Sequence, residues 1–126
     1  MKEKEILNPQ DADLEEAVIG ACMVESEAIA LVADKLRPEM FYTEVNGMIF
    51  AAVQSMFHAG KKIDILTVKS ELAARGALEK VGGPYNLTRI ASRIASGTRV
   101  EYHACILREL FIRREMIIGS HKQLAA

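Results

Sequence analysis

Between Gly60 and Leu87, four glycines and one proline cut the chain into pieces long enough only for short helices and the turns between them. Gly60 follows a good helical run and can take the left-handed conformation that closes a helix, and Asp64 stands where its carboxylate can accept from an unsatisfied backbone N–H of the next one. Ile65, Val68 and Leu72 then share a face, and Gly76 stops that helix as Gly60 stopped the last. Gly82-Gly83-Pro84 reopens another, with proline in the first turn, where its missing N–H costs little.

The same punctuation organises the rest. Asp13 and Glu16 have capping-box spacing, and Leu14, Ala17, Val18, Ala21 and Cys22 follow at helical intervals, so a first helix is expected there with Asp13 as its cap. Ser26 is placed to cap a second helix with Ile29, Val32, Ala33 and Leu36 inward, ended by Arg37-Pro38, since a residue before proline disfavours helix. The break puts Phe41 and Tyr42 in a turn. Thr43 is the expected cap of a third helix bearing Val45, Met48, Ile49, Ala52, Val53, Met56 and Phe57; apolar on much of its circumference, it is expected to be central. A fifth helix is expected from about Pro84 to Ala95, with Leu87, Ile90, Ala91 and Ile94 inward, and no segment alternates with the period of a strand.

Thr98 and Glu101 form a further cap, after which only the tolerated Gly119 interrupts a helical pattern that runs to Ala126. At 1.5 Å per residue such a helix spans roughly 40 Å, more than a small globule is wide, so part of it should project. Its apolar positions form two overlapping stripes: Val100, Ala104, Leu107, Phe111 and Ile118, and Ile106, Leu110 and Ile117 with Arg113 among them. A projecting helix that is apolar on more than one side needs a partner, which makes Val100, Leu107, Leu110, Phe111, Arg113, Arg114, Ile117 and Ile118 the candidate self-association and partner surface. The expected fold is all-α: a flexible leader over 1–10, a compact orthogonal bundle of about five short helices over 11–97, and one long projecting helix over 98–126. The final Gln123-Leu124-Ala125-Ala126 carries no helix stop, so the helix is expected to belong to a longer protein.

Composition narrows the classes. A chain of 126 residues, 50% hydrophobic, can bury one core without disulfide or metal. With net charge −1 it lacks the basic excess that sequence-independent nucleic-acid binding needs. Cys22 and Cys105 fall in apolar helical runs as core-type thiols, Met1 to Gln10 is too polar for a signal peptide, and no apolar run approaches the ~20 residues of a membrane span. A cytoplasmic chain without membrane contact is expected.

No catalytic, cofactor-binding or metal residue is expected. A phosphate loop needs Gly-x-x-x-x-Gly-Lys-Ser/Thr, but at the only Gly-Lys pair, Gly60-Lys61, Lys62 replaces the hydroxyl residue and Ser55 the first glycine. His103 and Cys105 face different ways on a helix, and His58 near a helix end suits the dipole. The Met48, Met56 and Phe57 stripe reads as core. Arg108, Arg113 and Arg114 alternate with Glu109 and Glu115, which favours ion pairs over phosphate contact. The competing reading is a helical nucleic-acid-binding module built on Lys61, Lys62 and these arginines.

With the helices placed, the chain resembles one family, the N-terminal domain of the bacterial replicative DNA helicase of the DnaB type. Its Glu-x-x-Val-Leu-Gly is similar to Glu15-Glu16-Ala17-Val18-Ile19-Gly20, its Pro-x-x-Phe-Tyr to Pro38 through Tyr42, and its Gly-x-x-Ile-Asp-x-x-Thr to Gly60 through Thr67. Gly82-Gly83-Pro84-Tyr85-Asn86-Leu87 resembles its Gly-Gly-x-x-Tyr-Leu, with tyrosine one place early. Val100-Glu101-Tyr102-His103-Ala104-Cys105-Ile106-Leu107-Arg108-Glu109 resembles its last-helix pattern, departing at Arg99, where asparagine is usual. The resemblance implies an all-helical collar domain of a hexameric helicase. Its long helix would be the first arm of a hairpin that pairs into dimers, with three dimers making the ring, and it would dock primase and, in some members, a loader. ATP and Mg would belong to a motor domain elsewhere in the parent. The helicase-binding domain of a primase has a similar fold but ends its own chain, whereas a starting methionine and polar leader precede the first helix here.

Overall fold

The computed structural model describes residues 10–25, 27–93 and 99–125, with side chains through residue 119, and among these it is all helical, with no strand. In chain order the elements are α1 (Ala12–Val24), α2 (Ala28–Val32), a 3₁₀ turn (Pro38–Met40), α3 (Glu44–His58), α4 (Ile65–Ala74), α5 (Gly83–Ala91) and α6 (Val100–Ala125).

Local chemistry sets most of the boundaries. Asp64 accepts from the Thr67 N–H at 2.8 Å and Thr67 Oγ1 accepts from the Asp64 N–H at 2.8 Å, a reciprocal cap that opens α4. Gly60 and Gly76, at φ 71° and 69°, close α3 and α4 identically. In each case the glycine N–H donates to a carbonyl three residues back (Phe57, Ala73) and the next N–H to one five back (Met56, Leu72), the double bond that only a left-handed residue permits at low cost.

Two caps and one helix end differ from expectation. The first helix is capped by Asp11, which accepts from the Leu14 N–H at 3.0 Å, and not by Asp13. Asp13 lies inside the first turn, and its carboxylate goes to Arg93 at 2.8 Å while Glu16 goes to Arg89 and Arg93, so neither is left for the backbone. Thr43 does precede α3, but its side chain makes no capping bond. α2 ends at Val32, short of Arg37, although turn hydrogen bonds carry the chain on and keep Ala33 and Leu36 buried. Ser26, Ile94 and Thr98 lie outside the described residues.

The centre of the molecule is α1, which packs against all five other helices; it displaces α3 from the central role its composition suggested. The reason is that every residue from Val18 to Met23 is buried, so α1 needs neighbours all round. Ile49, Phe50, Ala52, Val53 and Met56 bring α3 onto the same core, with the Phe50 ring 5.0 Å from Phe41. Met48 and Phe57 pack at its edge, as their core reading requires. Each fully buried Leu, Ile or Phe contributes about 1.5–3 kcal/mol. Arg89 adds a bidentate pair with Glu16 at 3.0 and 2.7 Å that ties α5 to α1, and the hydrogen-bonded carboxylate holds the guanidinium above its ordinary pKa.

Candidate functional site

Because α6 is longer than the core it serves, its face changes role along its length. Val100, Ala104 and Leu107 are buried against α1 and α2, and Phe111 packs half-buried at the edge of the same core. Val100 and Leu107, expected on a self-association face, are therefore occupied within this chain. The physical reason is that α1 and α2 leave an apolar trough, which one of the helix's two stripes fills first. Phe111 is likewise committed to the fold, so a charge there would strike stability directly.

Arg114 ends the packed half. It is 8% exposed, its Nη2 donates to the Met40 carbonyl at 2.8 Å, and its guanidinium stands 5.4 Å from the Tyr42 ring and 5.8 Å from the Phe111 ring. Burial pulls the Arg114 pKa below its usual value, opposed by the nearby charges of Glu15 and Glu115. Arg114 was expected on a partner surface; it instead sits seven residues, two turns, after Leu107, so the helix carries it onto the core-facing side.

Glu15 meets the same turn from beneath. Only 1% exposed, its carboxylate accepts from the Tyr42 N–H at 2.6 Å, the Thr43 N–H at 3.3 Å and Asn46 Nδ2 at 3.0 Å. Three donors satisfy a charge that would otherwise be too costly to bury. Sequence reading missed this carboxylate. Its one signal is position: Glu15 lies three and four residues before Val18 and Ile19, on the buried side of α1.

Past Arg114 the helix leaves the globule. Met116 is 66% and Ile118 47% exposed, with Ile117 half-buried. Leu110 is half-buried and Arg113 exposed along the flank. Tyr102, Cys105, Ile112 and Met116 form an exposed outward row about half a turn from Leu107, which the sequence reading did not separate because Glu109 interrupts it. The two cysteines diverge. Burial pushes the Cys22 thiol up to about 12, while Cys105 is exposed on this row.

The remaining candidate residues are structural or charged surface. Gly60-Lys61 serves as the helix close, with Lys61 N–H donating to Met56. Lys61 Nζ lies 3.4 Å from Glu71, whose other oxygen takes Arg75 at 2.9 Å, and that hydrogen bond is the main cause holding the Glu71 pKa below its ordinary value. A shallow groove of about 490 Å³ runs beside them, floored by Met56 and bordered by Leu66, Ser70 and Ala74. A second, of about 440 Å³, lies between Pro38, Phe41 and Met48 with Glu39 and Glu44 at its edge. Among the described residues no helix is long and apolar enough to cross a membrane.

Comparison with known proteins fits this geometry. Residues 7–109 match the family described as the DnaB-like helicase N-terminal domain. The chain is 42% identical over 106 residues to the replicative DNA helicase DnaB of Rhodothermus marinus, covering 84% of this chain and 11% of that protein. It is 37% identical over 111 residues to the replicative DNA helicase DnaC of Bacillus subtilis, covering 88% of this chain and 24% of that protein. The chain thus spans a quarter or less of the curated relatives it matches. In structure it superimposes with a TM-score of 0.90 and 29% identity on the N-terminal domain of DnaB helicase from Mycobacterium tuberculosis, covering 94% of this chain and 86% of that one.

Proposed function

The chain belongs to the DnaB-like helicase N-terminal domain family, and from that premise we propose that it is the collar of a hexameric replicative DNA helicase, assembling subunits and docking other replication proteins in the cytoplasm. It carries out no catalytic step itself; ATP and Mg act in the parent's motor domain. α6 is the first arm of a hairpin that pairs with a second copy, and three such pairs make the ring. Primase and, in some settings, a loader dock on the assembled collar.

The observation that carries this reading is the second half of α6, where Met116 and Ile118 stand exposed on a helix that continues for eleven residues past Arg114, the last buried side chain among the described residues. In water, apolar side chains exposed on opposite sides of a projecting helix favour association. Sedimentation velocity on the 126-residue chain tests it: the mean sedimentation coefficient should rise with concentration and change little with salt. A strict monomer at the highest accessible concentration overturns the assembly role. Calorimetric titration with the C-terminal region of the same organism's primase tests docking, and absence of heat at high concentration overturns that part.

A further inference from the structure

We propose that the groove between α4 and the Gly60–Asp64 loop binds an acidic amphipathic helix of a partner protein. The inference deepens the docking role above and rests on it. Leu66, 72% exposed, is the most exposed large aliphatic side chain among the described residues, and it stands at the mouth of a groove about 490 Å³ in volume whose floor is Met56. Ser70 and Ala74 follow Leu66 at four-residue steps on the same face of α4. A leucine followed by two small side chains leaves room for a second helix backbone over about two turns.

The charge around the groove selects the partner's sign. Lys61 and Lys62 flank it and both are exposed. Against these stand two acids, Asp64, which caps α4 through the Thr67 N–H, and Glu71, which is shared between Lys61 on one oxygen and Arg75 on the other, so the three cations still outnumber them. Glu71 carries one charge for two cations, Lys61 and Arg75, so it offsets Lys61 only in part, and Lys62 has no ion pair among the described residues. On a chain of net charge −1, this end of α4 presents a local positive rim over an apolar floor. Carboxylates beside apolar anchors complement both features. A nucleic-acid backbone would meet the lysines and leave Leu66 and the groove floor without a partner.

The test titrates the ¹⁵N-labelled full chain with a capped synthetic peptide of about 15 residues, long enough to form helix on the surface, with leucines at i, i+3, i+4 and i+7 and glutamates on the flanks. Amide shifts should concentrate between residues 61 and 75. Combining Lys61→Glu with Lys62→Glu should weaken binding at least about tenfold. Leu66→Asp, at an exposed site that leaves the fold intact by circular dichroism, should do the same. Equal binding of a peptide with lysine in place of glutamate, shifts confined to another surface, or unchanged affinity in both variants overturns the proposal. So does displacement of the peptide by single-stranded DNA with a steep salt dependence that the lysine variant abolishes. A primase region that binds the parent chain and the double variant equally overturns this groove but leaves the docking role standing. No binding by primase or peptide overturns both.

Discussion

The two halves of α6 carry similar residues at the same helical spacing, yet only the first half has a trough to fill. From Val100 to Phe111 the apolar face is taken by α1 and α2, and Arg114 locks the last turn to the Met40 carbonyl. Beyond it, Met116 and Ile118 lie open. The difference shows that apolar periodicity specifies a face to be covered without saying by what. Whether a stripe is core or interface depends on how far the rest of the fold reaches, here two turns past Leu107.

Three substitutions probe that division, in order of expected cost to the fold. Leu107→Ala, in the packed half, should lower unfolding free energy by about 2–5 kcal/mol, read from the urea midpoint at constant slope. A loss below about 1 kcal/mol would mean that the first half is not anchored. Arg114→Met keeps the stem but removes the guanidinium that reaches Met40, and should cost about 1–3 kcal/mol, with amide shifts spreading to the 40–43 turn. Unchanged stability would reduce Arg114 to a packing residue that methionine replaces. Ile118→Asp, in the open half, should shift stability by less than about 0.5 kcal/mol while lowering self-association measured by sedimentation. Strong unfolding there would erase the distinction between the halves.

Much of the fold was legible because it rests on local rules. Gly60, Gly76 and Asp64 mark helix ends through backbone chemistry confined to a few neighbours, and each stands where the sequence placed it. What was illegible depends on distant partners. Asp13 looked like a cap until Arg93, eighty residues away, claimed its carboxylate. α3 looked central by composition, but the packing of α1 against every other helix is a property of the assembled bundle. Arg114 is expected on the partner surface because it alternates with Glu109 and Glu115 on a projecting helix; nothing local announces a carbonyl and two aromatic rings waiting for it. The exposed row at Tyr102, Ile112 and Met116 is broken in sequence by Glu109, and which side of α6 faces out is decided by the other helices.

The amino end of α3 is fastened by a carboxylate from another helix. Tyr42 and Thr43 donate to Glu15 across 27 and 28 residues, and Thr43 supplies no cap of its own. Closing that separation has an entropic cost that only a formed α1 can offset. A peptide spanning α3 alone should therefore fray from its first turn, and α1 and α3 should exchange their amide protons together, as one cooperative opening unit.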